Sequence, residues 1–345
     1  MTLAGKFRHV FISLFILSIW GCSNSNVGGN QSDFIHITGN AQGTTFKIIY
    51  NDSLSRDFSI AIDSILNRVD QQLSTYDSTS FISLINNSKD TCFQLGDNDL
   101  FKFCFSLSRE MYAKTNYSFN PAIYPLVDYW GFFSNEDLSI DTLFIQDSLI
   151  PIIDFENVFN YQFIDGEQCI CKKNTGAKLD FNAIAQGYSV DLIANYFNLK
   201  SIADYMVEVG GEIKSKGVNS KGVLWNIGIE RPVDSSYTGQ YGFQKTIPLD
   251  NQSLATSGSY RKYKMINGQR YSHTIDPNTG FPSKNRLLST TVICKDAAVA
   301  DALATACMVL GKEKAIQLVT TYEQEKIKGY FIYDSAGVYK EWDNF

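Results

Sequence analysis

The chain has 345 residues, 44% of them hydrophobic, and a net charge of -6. That is ample for a large buried core, in one big domain or two of average size. Past the N-terminal region no run of Lys and Arg occurs, which disfavours a nucleic-acid partner, because phosphate binding requires a basic stripe.

The N-terminus reads as an export signal. Lys6, Arg8 and His9 precede an apolar run over residues 10–20, then Gly21, Cys22 and a polar stretch. A Cys directly after a small residue resembles the bacterial lipoprotein cleavage box, here residues 17–22, although Trp20 is bulky for it. The expectation is a signal peptide over 1–21, lipidation at Cys22, a flexible tether over 22–33 rich in Asn, Ser and Gly, and a catalytic domain over 34–345. The competing reading is an uncleaved anchor with an incidental Cys; the run falls short of the ~18 apolar residues a span needs. Both readings put the bulk of the chain outside the cytoplasm, anchored to a membrane.

Residues 34–50 alternate as a strand pair bent at 39–43. Apolar positions Ile62, Ile65, Leu66 and Val69 predict a helix over 59–73, and Leu100, Phe103, Cys104 and Leu107 another over 99–115. Residues 180–197 start irregularly and become helical. Short strands are expected at 205–209, 212–217, 224–230, 244–248 and 287–293, a strongly apolar helix at 297–310 closed by Gly311, and a last strand at 328–334. Helices and strands mix without a βαβ rhythm, so the fold class is α+β, a single domain with mixed, mainly antiparallel sheets packed by helices. Six cysteines follow Cys22. Cys169 and Cys171 alternate in one strand and face one way, Cys104 and Cys307 read as buried thiols, and none is assigned to catalysis.

Several segments carry chemistry. His273 sits in a polar stretch ending in a Pro/Asn/Gly turn, where it is either a base, a ligand or a local hydrogen-bonder. Thr256, Ser257 and Gly258 precede Arg261 and Lys262, a small-residue loop that suits an anion but lacks Walker spacing. Asp301 and Thr305 stand four apart on the apolar helix. A carboxylate there is costly unless paired or coordinating, and with a hydroxyl it suits a hard cation; the plainer account is a solvent-side Asp. Asp180 and Asn182 precede a helix, where capping explains either. Gly210 and Gly211 break two strands.

Taken in order, these segments resemble the ApbE family of flavin transferases, from about residue 36 to the C-terminus. The resemblance also runs through Gln42-Gly43-Thr44-Thr45, Leu73-Ser74-Thr75-Tyr76 with Ser80, Ile82 and Asn86, and Phe119-Asn120-Pro121 with Trp130-Gly131-Phe132. It implies a magnesium-dependent enzyme that takes FAD as substrate and attaches FMN to a Thr or Ser of exported target proteins, such as subunits of respiratory ion-pumping complexes, releasing AMP. By position, Asp301, Thr305 and the carbonyl of Ala183 would hold Mg2+. FAD would meet Gln42, Tyr76, Ser118, Phe119, Asn120, Asp180 and Gln186, with Thr256, Ser257, Gly258 and His273 near the diphosphate. His273 would be the general base and Asp301 the second catalytic residue.

Gln42 stands where the family usually has Met, Asn120 where it often has Asp, and Gln186 where it often has Lys. Losing one acid and one base together suggests a paired adjustment in the flavin pocket. Two other activities fit the same motifs: hydrolysis of FAD to FMN and AMP, and non-catalytic flavin binding by a lipoprotein.

Overall fold

The computed structural model describes residues 34–132, 140–232, 243–259, 263–266, 269–322 and 326–345. The signal peptide over 1–21, Cys22 and the tether over 22–33 lie outside the described residues, as do Arg261 and Lys262.

In chain order the elements are β1 (Ile35–Ala41), β2 (Thr44–Asn51), α1 (Ser59–Leu73), α2 (Phe81–Asn87), β3 (Cys92–Gln94), α3 (Asp99–Lys114), α4 (Tyr124–Tyr129), α5 (Thr142–Phe144), α6 (Phe155–Val158), β4 (Phe159–Ile164), β5 (Glu167–Lys172) and α7 (Ala185–Leu199). There follow β6 (Asp204–Val209), β7 (Glu212–Lys216), β8 (Trp225–Glu230), β9 (Phe243–Leu249), β10 (Ser253–Gly258), β11 (Tyr263–Ile266), β12 (Gln269–Ser272), β13 (Ile275–Asp276) and β14 (Phe281–Pro282). The chain ends with β15 (Leu287–Cys294), α8 (Ala297–Leu310), α9 (Lys312–Thr321), β16 (Lys328–Ser335) and β17 (Val338–Asp343).

One sheet organises the molecule. Its eight strands run in the order β1-β2-β6-β7-β10-β15-β16-β17, and each neighbouring pair is antiparallel. The α+β expectation with mainly antiparallel sheets is what the structure has. A three-stranded sheet, β3-β5-β4, stands apart from it. There Cys92 lies directly across from Cys171, and the two form a disulfide. Cys104, Cys169, Cys294 and Cys307 are free and buried.

The helical spacings resolve as buried stripes. On α1, Ile62, Leu66, Val69 and Leu73 are buried, each contributing about 1.5–3 kcal/mol relative to exposure. α7 and α8 are apolar nearly all round because they pack on the sheet and on each other. Gly187 makes that approach possible: a Cβ there would lie 2.4 Å from the carbonyl oxygen of Ala297. Asp191 on α7 satisfies the N-terminus of α8, accepting from the Ala298 N–H at 3.0 Å. Its other oxygen takes Lys214 Nζ at 2.6 Å.

Candidate active site

A cleft of about 600 Å3 opens where the sheet, α7, α8 and the loop after α3 meet. Its wall holds Tyr76, Ser118, Phe119, Asn120, Asp180, Ala183 and Gln186 from segments that precede β6. Thr256, Ser257, Gly258, His273, Asp301 and Thr305 come from segments that follow it. Gln42 is the exception: it lies outside that lining, and its amide nitrogen donates to Ser189 Oγ at 2.6 Å.

Each segment is held by identifiable bonds. Asn116 and Tyr117 both adopt left-handed backbone, with φ of 50° and 69°. That conformation is costly for non-glycine residues. It turns the chain so that Ser118, Phe119 and Asn120 face the cleft, while Thr115 Oγ1 accepts from the Phe119 N–H at 3.0 Å. The Asn120 amide donates to the Ile153 carbonyl at 2.9 Å and accepts from the Ala122 N–H at 2.8 Å. Leu179 and Asp180 belong to no strand, so their polar backbone groups need other partners. The buried Asn86 amide pairs with both the N–H and the carbonyl of Leu179, at 2.7 and 2.8 Å. The Asp180 N–H reaches the Pro121 carbonyl at 2.7 Å.

Asp180 is not the cap of α7. That position belongs to Ile184, without a side-chain hydrogen bond, and the Asp180 carboxylate instead accepts from the Asn182 N–H at 2.7 Å. Burial pushes Asp180 up to about 6, against the opposing Asn182 bonds. Gln186, in the first turn of α7, packs its side chain against the β6–β7 turn, where Gly210 has φ +69° and a Cβ would come within 2.9 Å of the Gln186 amide.

Thr256, Ser257 and Gly258 are the last residues of strand β10, not a loop. Pairing with Thr291, Thr290 and Ser289 of β15 extends the strand to Gly258. Ser257 Oγ lies 3.3 Å from Thr305 Oγ1, linking β10 to α8. His273 follows the β11–β12 hairpin. The turn beyond it closes by Gly280 N–H to the Asp276 carbonyl at 2.8 Å, and Trp130 Nε1 fixes it through the Gly280 carbonyl at 2.8 Å. The imidazole stands edge-on to Phe132 at 6.4 Å between centroids.

Asp301 is a buried acid of the cleft wall. It is 6% exposed, and its carboxylate accepts from the Gly187 N–H at 3.3 Å. Burial pushes it up to about 7, with that N–H pulling the other way. Asp301 and Thr305 share one face of α8, and Ala183 lies just before α7 on the same cleft wall. A buried carboxylate, a hydroxyl and a nearby peptide form an oxygen donor set suited to a hard divalent cation. Among the described residues no group of three His, Cys, Asp or Glu side chains stands at ligand spacing, so the remaining ligands would be carbonyls, water or substrate phosphate. Sequence reasoning singled out the segment of Glu212 without giving it a role, and passed over Lys264. Both line the cleft, Glu212 from the first position of β7 and Lys264 from the β11–β12 hairpin. Glu212 closes the paired-glycine segment that shares in the family resemblance, while no motif marks Lys264.

The sequence model of the ApbE family matches residues 42–331. The FAD:protein FMN transferase of Vibrio cholerae is 33% identical over 340 residues, covering 95% of this chain and 94% of that one. The Escherichia coli protein of the same name is 30% identical over 295 residues, covering 84% and 80%. Among solved structures, the flavin transferase ApbE from Vibrio cholerae superposes with a TM-score of 0.77 at 30% identity, over 90% of this chain and 97% of that one. The apo flavinyl transferase ApbE of Pseudomonas stutzeri gives 0.78 at 30% identity, over 90% and 95%.

Proposed function

The chain belongs to the ApbE family, and from that premise we propose that it is an FAD:protein FMN transferase. It moves FMN from FAD to a Thr or Ser hydroxyl of exported proteins, releasing AMP. The observation that carries the reading is Asp301, a nearly buried carboxylate facing a large cleft of mixed polar and apolar lining with one long hydrogen bond of its own. An isolated buried carboxylate is destabilising, so a cation at this wall is the simplest reason to keep it.

The chain's residues divide the work. Ser118, Phe119, Asn120, Asp180 and Gln186 bind the flavin half of FAD, while Thr256, Ser257 and Gly258 receive the diphosphate. Asp301, Thr305 and Ala183 would hold Mg2+, which would supply charge neutralisation for a pyrophosphate under attack. His273 takes the proton of the acceptor hydroxyl. The hydroxyl oxygen bonds to the FMN phosphorus as the bond to the AMP oxygen breaks, and AMP leaves with that electron pair. The Cys92–Cys171 disulfide supports export, since such bonds persist in oxidising compartments. With Cys22 lipidated, the enzyme works at a membrane, on acceptors such as flavinylated subunits of respiratory ion-pumping complexes.

Incubating the full chain with FAD, Mg2+ and a candidate acceptor domain tests this. Mass spectrometry should find an FMN adduct on a Thr or Ser of the denatured acceptor, absent with Asp301→Ala. Free FMN without an adduct on any acceptor would make the protein a hydrolase. Retained FAD with no turnover would make it a flavin carrier.

A further inference from the structure

The large sheet has two ends with different characters. At one, the β6–β7 turn at Gly210 forms part of the cleft wall. At the other, Tyr50, Tyr205 and Lys216 lie side by side in register, and the loops around residues 52–57, 198–203 and 217–224 gather. Side chains tie these loops together. The Arg56 guanidinium donates to the Lys200 carbonyl at 3.1 Å, Lys216 Nζ to Asn198 Oδ1 at 2.9 Å, and the Val218 N–H to Asp204 Oδ1 at 2.9 Å.

Four large apolar side chains project from this end. Leu54 is 70% exposed, Leu199 83% and Val223 50%. Ile60, in the first turn of α1, is 85% exposed beside Phe58, whose ring packs on Tyr50 and Tyr196. Scattered single apolar residues on a surface need no explanation, but several on adjoining loops do. Among the described residues here, the bases Arg56, Lys200, Lys216 and Lys221 are matched by the carboxylates Asp52, Asp57, Asp204 and Asp250, so this end is locally balanced in a chain whose net charge is -6.

The first described residue lies at this same end. Phe34 sets its ring against Trp225 at 5.8 Å, and Trp225 Nε1 donates to the Lys216 carbonyl at 3.1 Å. From Cys22 to Asp33 the sequence has twelve residues. Fully extended they reach no further than about 40 Å, which keeps the domain close to whatever holds Cys22.

We propose that this end is a lipid-docking face, with Leu54, Ile60, Leu199 and Val223 in the headgroup region of an anionic bilayer and the basic side chains at its surface. The proposal rests on the tether reading, which supplies the high local concentration that lets a small apolar contact suffice. Its consequence is orientation. β6 runs from this end to the Gly210 turn, so about 15 Å of strand separates the lipid from the cleft wall. The active site then faces away from the membrane, toward acceptor domains that stand above it.

Tryptophan quenching in reconstituted vesicles of phosphatidylethanolamine and phosphatidylglycerol tests the face, using full chain purified from membranes. The emission that Leu199→Trp adds to the wild type should be largely lost when the acyl chains are brominated. Leu143→Trp, 72% exposed on α5 next to the Gln146–Thr279 bond on the cleft side, should keep its emission. Val223→Trp repeats the reading should Leu199→Trp fold poorly. Lack of quenching at both Leu199→Trp and Val223→Trp, or equal quenching of Leu143→Trp, overturns the docking face. Salt-resistant pelleting of wild type against Cys22→Ala reports separately on the tether, and FMN transfer separately on catalysis.

Discussion

Asp301 sits among Ala300, Ala302, Leu303 and Ala304, all buried, and helix periodicity alone turns it inward with Thr305. Its carboxyl titrates near 7 in the fold against an ordinary 3.8. Between those values the folded chain binds more protons than the unfolded one, so stability falls as pH rises through that window. Asp301→Asn should therefore make the metal-free protein about 2–4 kcal/mol more stable at pH 8 and flatten its stability between pH 4 and 7. The same variant should lose transfer activity. Urea titrations at several pH values in the presence of chelator check it, and an unchanged or lower stability at pH 8 would contradict the assignment of an uncompensated buried carboxylate. The pattern that made Asp301 and Thr305 legible has no counterpart at Gln42, whose neighbour Ser189 lies 147 residues away. Nor does sequence reveal that Asn120 and Gln186 have separate partners, the Ile153 carbonyl and the Gly210 turn. Their departures from the family pattern thus have separate local settings, and no hydrogen bond joins the two amides.

At the scale of elements, the proposed metal site would depend on how closely α7 and α8 approach, because Ala183 lies just before one and Asp301 on the other. Gly187 is the point of contact. A methyl group there would lie 2.4 Å from the Ala297 oxygen and 2.8 Å from the Ala298 nitrogen, both backbone atoms that cannot rotate away. The helices must part, and the Gly187 N–H that bonds Asp301 moves with them. Gly187→Ala should cost about 2–4 kcal/mol of stability by overpacking, with loss of transfer even where the protein remains folded. Denaturant unfolding and the adduct assay measure the two effects. Long periodic elements were readable in advance: α1 spans the residues its apolar spacing predicted. Of the small sheet only β5 was, through the alternation of Cys169 and Cys171, since β3 has only three residues. Its disulfide was equally hidden, because Cys92 and Cys171 are 79 residues apart and only strand pairing brings them together. Thr256–Gly258 read as a loop for a related reason: Ser and Gly carry turn character, and the partner strand β15 that overrides it lies some thirty residues on.

The cleft belongs to the molecule as a whole. Tyr76, Ser118, Asp180, Thr256, His273 and Asp301 come from segments spread across most of the chain, so any ligand that spans it binds the folded state and has no comparable site in the unfolded one. Binding must then raise stability by RT ln(1 + [L]/Kd), about 2.7 kcal/mol at a hundred times Kd. Where the cation joins the diphosphate to Asp301 and Thr305, FAD and Mg2+ are linked, and each strengthens the other by the same factor. The melting temperature should rise modestly with FAD alone and further with FAD and Mg2+ together. Asp301→Ala should keep the rise due to FAD, whose flavin half the proposal sets against the Phe119 and Asp180 walls, and lose the increment due to Mg2+. Differential scanning fluorimetry with FAD, Mg2+, both and chelator reads this directly. A wild-type increment that survives in Asp301→Ala would move the cation away from α8 and dissolve the coupling between the two halves of the site.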